Sequence, residues 1–485
     1  MRRVVSIKSQ SQSKENFMES IRISIKPQLL PILDRNFCPA SIYKKAFDEA
    51  VSDSEKSLPL SISIERGAGL ISTYKTQIFE ESPETDGANF FYIERILKTL
   101  LWTRGGWKIT IGGAKNLGNR IKAAYSEGGI RDFDANFMGR VYEKEFCVEV
   151  TSFENVPVAK EDAKPVGRHL EGCRIGFDAG GSDRKVSAVM DGEVVYSEEV
   201  IWHPKIQSDP DYHFNGILES VKSAASHLPR VDAIGVSSAG VYVNNRTMVA
   251  SLFLKVPEEI FDKKVKDIYI NVAKEMGNVP LEVANDGDVT ALAGAIDLDD
   301  NNVLGIAMGT SEAGGYVDGN GNITGWLNEL AFVPVDFNTD AMVDEWSGDY
   351  GCGVKYFSQD AVIKLVKTAG IELNSELTPA QKLEEVQQYL HQGDERAEKI
   401  FESIGCYLGY VIPHYAEFYD IKHILILGRV TSGEGGNIIL KIAQKVLKEE
   451  FPELSKKIKI HLPDESNRRV GQSIAAASLT ELRKQ

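Results

Sequence analysis

No apolar run in this 485-residue chain approaches the roughly 20 residues that a membrane-spanning helix requires. The amino terminus, MRRVVSIKSQSQSKENF, begins basic but turns polar and lacks the apolar stretch of a secretory signal. A cytoplasmic protein with no membrane partner is expected. Cysteine is scarce: Cys38, Cys147, Cys173, Cys352 and Cys406 are scattered, odd in number, and form no C-x-x-C pair. That spacing signals neither a zinc nor an iron–sulfur site and reads as buried reduced thiols. Excess positive charge is missing too. A net charge of −15 argues against nucleic acid as the main partner.

What is present is an ordinary globular composition, 42% hydrophobic and 26% charged, on a chain long enough for two or three domains. Charge divides unevenly, about +3 over residues 1–170 and about −18 beyond, as two different units would show.

The first 170 residues are read as an α+β accessory domain. Helices are expected at Gln28–Leu33 and Ser41–Val51, with an amphipathic helix at Phe91–Leu101. Strands are expected at Leu60–Ile64, Trp107–Ile111 and Phe146–Val150, an exposed loop at Glu81–Asn89, and a linker at Val156–His169. The run Thr103–Tyr125 concentrates Arg104, Lys108, Lys115, Arg120 and Lys122, either as a solvated face or as an anionic-ligand or partner surface.

After residue 171 the pattern becomes regular. Strands at Cys173–Asp178, Lys185–Asp191 and Glu193–Ile201 precede a helix at Asp211–His227, a strand at Asp232–Ser237, a helix at Asp262–Glu275 and a strand at Leu281–Val283. A helix opens just after Asp288 and runs to about Ile296. The order then repeats: strands at Val303–Met308, Gly315–Asp318 and Asn322–Gly325, helices to about Tyr419, and a strand at His423–Leu427. A helix at Gly436–Glu449, a strand at Ile458–His461 and a helix at Arg469–Arg483 close the chain. Two strand–strand–strand–helix–strand–helix units imply two similar lobes, residues 171–300 and 301–485.

Each lobe opens with a glycine turn between two strands. In IGFDAGGSDR (175–184), Gly180 and Gly181 let backbone N–H groups approach a polyphosphate, because no Cβ intervenes. Ser182 adds a hydroxyl, and Asp178 at the strand end suits a hydrated Mg²⁺. GIAMGTSEAGG (305–315) repeats the device with Gly309, Thr310 and Ser311. One such turn also fits a plain hairpin; two, each opening its own lobe, point to a nucleotide's phosphates. In VANDGD (283–288), Asp286 follows a strand and precedes a helix, where a carboxylate would take a proton from an alcohol during phosphoryl transfer. Asp288 reads as the helix N-cap. ILILGRVTSGEGG (424–436) ends a buried strand in a glycine-rich turn that leaves room for a flat base.

These motifs resemble the actin/hexokinase (ASKHA) superfamily, and within it the ROK family of sugar kinases and repressors, over about residues 172–485. The family's D-x-G-G-T is matched by Asp178-Ala179-Gly180-Gly181-Ser182. Its E-N-D-A-N is matched by Ala284-Asn285-Asp286-Gly287-Asp288, which implies a catalytic base at Asp286 and a sugar contact at Asn285. G-T-G-x-G-G-G becomes Gly309-Thr310-Ser311-Glu312-Ala313-Gly314-Gly315. G-E-x-G-H becomes Asn328-Glu329-Leu330-Ala331-Phe332, keeping the sugar-binding Glu329 and losing the histidine. Only Cys352 survives of the family's zinc cluster, so no zinc is expected. The sugar-wall turn resembles Ser237-Ser238-Ala239-Gly240, implying contacts at Ser238 and Gly240, with Asn244 and Asn245 nearby. The adenosine turn resembles Gly428-Arg429-Val430-Thr431-Ser432-Gly433, with Arg429 in place of a glycine: stacked on adenine, on a phosphate, or turned outward.

The resemblance implies a two-lobed ASKHA fold with duplicated βββαβα lobes. It also implies ATP and Mg²⁺ as cofactors, a sugar substrate and a homodimer. Departures at Ser182, Ser311, Phe332 and Arg429 leave two expectations standing. One is an ATP-dependent sugar kinase; the other is a non-catalytic sugar sensor, pseudokinase or regulator, although residues 1–170 contain no recognisable helix-turn-helix.

Overall fold

The computed structural model describes residues 23–161, 166–463 and 465–482. The basic amino-terminal run and part of the expected linker lie outside them.

The first lobe is a five-stranded sheet. Strands β5 (Cys173–Ala179), β6 (Asp183–Met190) and β7 (Glu193–Ile201) form an antiparallel meander. Its β6–β7 turn places Asp191 and Gly192 at φ 49° and 87°, the double left-handed geometry that suits a tight hairpin. Strand β8 (Ala233–Ser238) adds to β5 in parallel and, after the small hairpin of β9 (Val241–Val243) and β10 (Arg246–Val249), β11 (Leu281–Asn285) adds to β8 in parallel, giving the order β11-β8-β5-β6-β7. The register pairs Asp178 with Ser237, Ala179 with Ser238 and Asn285 with Ser238. The carboxyl ends of the three parallel strands thus finish together, where open α/β sheets place their ligands.

The second lobe repeats this plan in the order β13-β12-β14-β15, from β12 (Val303–Met308), β13 (Glu312–Val317), β14 (His423–Leu427) and β15 (Lys459–His461). β12 pairs antiparallel with β13 and parallel with β14, as β5 does with β6 and β8. The expected third strand at Asn322–Gly325 does not form; Ile323 makes one isolated bridge to Val317. The chain is drawn off instead. The N–H groups of Leu327, Asn328 and Glu329 donate to the carbonyls of Arg104, Thr103 and Trp102 at the end of an amino-terminal helix.

Two helices join the lobes. The helix Asp286–Asp297 starts at the end of β11 and packs on β12 and β13, while the last helix, Glu465–Ala477, returns to the sheet of lobe 1. Gly176 and Gly235 permit that return: a Cβ on either would collide with the carbonyl of Ser473 or Ala476. The helix expected over Asp262–Glu275 is broken by a wide turn at Phe261–Val265, and only Ile268–Glu275 is regular.

The amino-terminal unit is a four-stranded sheet, β2-β1-β3-β4, from β1 (Ser57–Glu65), β2 (Ile71–Phe79), β3 (Lys108–Gly112) and β4 (Cys147–Thr151). Helices α1 (Ala40–Ser52), α2 (Asp86–Arg104), α3 (Lys115–Ala124) and α4 (Asp132–Tyr142) accompany it. Its buried side chains are continuous with those of lobe 2, in one cluster running from Phe37 through Ile96 and Trp102 to Leu304, Tyr407 and Ile460.

Three expectations for this unit fail. Gln28–Leu33 is not helical: Pro31 interrupts the run, and the backbone at Leu29 and Leu33 bonds to the side chains of Tyr410 and Ser403. Glu81–Asn89 is not wholly an exposed loop, since α2 begins at Asp86 and Asn89 is buried, bonding both the N–H and the carbonyl of Phe79. Nor is α2 amphipathic. It is buried on every face from Tyr92 to Arg104 because the sheet covers one side and residues 326–350 the other.

Candidate active site between the lobes

The first glycine turn is exposed at Gly181 and Ser182 and is held from behind by Trp202. The indole N–H of Trp202 donates to the Gly180 carbonyl at 2.8 Å, and its backbone N–H donates to that of Ser182 at 3.1 Å. Asp178, at the end of β5, is buried and accepts from the Ser237 hydroxyl at 2.7 Å. Burial pushes its carboxyl up to about 6, against the pull of that hydrogen bond, and the neighbouring Asp286 adds to the rise.

Asn285 caps the helix Asp286–Asp297. Its side chain accepts from the Gly287 N–H at 2.7 Å and donates to the Gly240 carbonyl at 2.8 Å. Asp288, expected as the cap, lies inside the first turn and is buried. Its carboxylate accepts from the Tyr316 N–H at 3.0 Å and the Asn328 amide at 2.8 Å, tying the helix to β13. Burial raises it to about 7. Asp286 opens the helix, half-buried, and among the described residues its carboxylate accepts one hydrogen bond, a local one from the Gly287 N–H. Burial raises its carboxyl, while the Gly287 N–H and then the ammonium of Lys205 hold it down.

Gly287 also lets the two lobes touch, since a Cβ there would strike the carbonyl of Gly314. Just upstream is the second glycine turn, with Thr310 and Ser311 exposed and a Cβ on Gly309 meeting only the Ser311 carbonyl, at 3.7 Å. Gly428, at φ 98°, rests against the Met308 backbone and so brings the candidate adenosine turn beside it. The guanidinium of Arg429 then donates to Thr310 Oγ1 at 2.7 Å. Gly433, at φ 66°, caps the following helix with open space above it.

On the acceptor side, Glu329 is half-buried, and no hydrogen bond to its carboxylate is found among the described residues. Burial lifts it to about 7, with Asp286 and Asp288 adding to the rise. Its position is set by the amino-terminal unit, through the bond from its N–H to the Trp102 carbonyl at 3.1 Å. Phe332, in the place of the family histidine, inserts among Trp102, Phe133 and Phe137, 4.3 Å from the Trp102 ring centre. Cys352 is a buried free thiol, and no group of three metal-ligating side chains occurs among the described residues. The residues present do not fit the family's zinc.

The structure brings Asp178 and Asp286 of lobe 1 and Glu329 of lobe 2 within electrostatic reach of one another, while Arg429 sits on Thr310 of the second glycine turn. Other candidates serve the scaffold. Ser238 is fully buried and takes the hydroxyls of Tyr242 and Tyr269 at 2.7 and 2.9 Å. Asn244 and Asn245 form a tight turn, and Asn245 bonds the backbone of Leu281 and Val283. The basic run 103–125 is no single surface: Arg104 is buried, stacked 3.4 Å from the Trp326 ring centre. The sequence reading missed Lys205, Trp202 and Glu312. Only Glu312 carried a signal, as an acidic residue inside a glycine turn.

A five-stranded and a four-stranded sheet of like topology, bridged by helices and each opened by a glycine turn, define the two-lobed actin/hexokinase class. A model of the ROK family matches residues 174–476, and the chain belongs to that family. The chain is similar to a ROK hexokinase from Thermus thermophilus, with 16% identity and a TM-score of 0.49 over 63% of this chain and 97% of that one. It is similar to a ROK family glucokinase from Streptomyces griseus in complex with glucose and AMPPNP, with 19% identity and a TM-score of 0.46 over 64% and 99%. A ROK family transcriptional regulator, a homolog of the E. coli MLC protein, gives 20% identity and a TM-score of 0.47 over 64% and 79%. No curated protein matches the chain by sequence.

Proposed function

We propose that this protein is an ATP-dependent kinase acting on a hydroxyl of a hexose, an N-acetylhexosamine or a related polyol. One observation carries the reading. Asp286, beside the contact of the lobes at Gly287 and Gly314, presents a carboxylate with no direct ion pair among the described residues, within electrostatic reach of Glu329 and of Lys205 at the first glycine turn.

The donor's phosphates would lie on Gly180–Ser182 and Gly309–Ser311, with adenosine toward Gly428–Gly433. The acceptor would be held by the Glu329 carboxylate. As the acceptor oxygen forms its bond to the γ-phosphorus, its proton passes to Asp286, the bridging bond to the β-phosphate breaks, and ADP leaves with that electron pair. Asp178 fits a hydrated Mg²⁺: it is a buried carboxylate raised by burial and by Asp286, a repulsion that a divalent cation relieves. Bound there, Mg²⁺ would neutralise charge on the donor phosphates.

ADP release with Mg·ATP, measured across hexoses, N-acetylhexosamines and polyols, tests the reading. Acceptor-dependent turnover is expected, lost by at least about 10³-fold in Asp286→Ala, with nucleotide binding retained. The second reading, a non-catalytic sugar sensor or regulator, is favoured by Phe332 and by Arg429 lying on the second phosphate turn. Nucleotide or sugar binding without turnover on any acceptor would establish it instead.

A further inference from the structure

We propose that Lys205 and Arg429 grip the donor's phosphate chain from opposite lobes, completing a site that the two glycine turns only half build. The proposal rests on the donor reading above.

Lys205 sits in the short turn Pro204–Ile206 after β7. Trp202 pins that turn to the first glycine turn through its bonds to Gly180 and Ser182. The ammonium of Lys205 therefore lies 3.0 Å from the point where a Cβ on Gly181 would stand, and near enough to act on the carboxyl of Asp286. Exposed Lys264 and half-buried Lys266 in the same lobe are paired with Asp211 and with Glu143 and Asp262. Lys205 has no carboxylate within ion-pair distance among the described residues. On the other side, Arg429 spends one guanidinium N–H on Thr310 Oγ1, and no further acceptor for its side chain is found among the described residues.

Electrostatics supplies the reason for both. The centre already holds Asp178, Asp286, Asp288 and Glu329, in a chain of net charge −15. A phosphate chain entering among four carboxylates is repelled unless cations meet it, and unpaired Lys205 and weakly engaged Arg429 stand at the two turns where it would lie. Their positions divide the labour. Lys205, between the first turn and Asp286, faces the phosphoryl group being transferred. Arg429, at the start of the candidate adenosine turn, faces the phosphates that leave with ADP.

Titration calorimetry of the full-length protein with Mg·ATP, Mg·ADP and Mg·tripolyphosphate tests this, on wild type, Lys205→Met, Arg429→Met and the control Lys264→Met. All three replaced side chains are exposed, so the fold is not at risk. Arg429→Met should weaken ATP and ADP alike by about tenfold. Lys205→Met should weaken ATP more than ADP and, where turnover exists, lower kcat by about 10²-fold. Wild-type affinity for Mg·ATP in both variants would overturn the proposal and leave the kinase reading intact. Wild-type protein that binds tripolyphosphate through these two residues but no adenine nucleotide would keep the grip and sink the ATP reading. Failure of the wild type to bind any of the three would sink both.

Discussion

Asp286 and Glu312 are both carboxyls raised by burial, and they face opposite tests. Asp286 must be ionised to accept a proton, so its raised pKa, together with Asp178 at about 6, moves the acid limb of activity upward. Turnover should fall as pH drops through about 6, above the ordinary carboxylate range, in a pH profile of kcat/KM. Glu312 is buried, with one oxygen 3.3 Å from the Tyr415 hydroxyl and the other without a hydrogen-bond partner among the described residues. Burial lifts it to about 8, so it stays protonated in the folded protein while the unfolded chain releases that proton near pH 4.5. Between those values the folded state binds the extra proton, and stability declines as pH rises. Glu312→Gln should flatten that decline. Its melting point relative to wild type should rise more at pH 8 than at pH 5, by the equivalent of roughly 2–4 kcal/mol.

Among the elements, α2 does the most to shape the candidate site, and it lies outside the family match. Its carbonyl end holds Leu327, Asn328 and Glu329, and its middle carries a buried set of charges. Asp349 receives Arg95 at 2.7 Å and both Lys98 and Arg131 at 2.9 Å, while Glu94 and Asp134 balance the remaining positive charge. Burial alone would raise Asp349; Arg131, Arg95 and Lys98 hold it well below the usual carboxylate range. Removing it leaves three buried cations facing only Glu94 and Asp134. Asp349→Ala should cost about 3–5 kcal/mol in denaturant unfolding. Amide exchange should quicken first in residues 326–353, the segment that this cluster and α2 fix.

For the whole molecule, the question is whether residues 172–485 form a separable two-lobed body. Sequence composition divides the chain near 170, yet the hydrophobic cluster of lobe 2 runs through α1, α2 and the amino-terminal sheet. We expect a chain starting at residue 166 to expose Phe332, Phe337, Tyr407 and their neighbours, which Trp102, Tyr43, Phe91 and Phe37 cover, and to aggregate or bind a hydrophobic dye where the full chain does not. A soluble, cooperatively melting fragment would show that the boundary is a true domain limit. At the far side, Glu143 of the amino-terminal unit pairs with Arg246 at 2.6 Å and Lys266 at 3.0 Å in lobe 1, so this unit spans both lobes.

Local rules were enough for the strand–turn motifs. Glycine pairs between apolar runs, an Asn-Asp at a strand end and the repeated element order mark two lobes, two glycine turns and the strand-to-helix step at Asp286, because each depends on residues adjacent in the chain. What depends on distant segments meeting was decided only by the tertiary structure. Trp202 sets Lys205 on the first turn, Asn328 claims Asp288 from a cap, and Ser238 disappears beneath two tyrosines. The strand expected at 322–325 gives way for the same reason: its continuation satisfies the carbonyls that end α2, and no pattern within either segment records that contact.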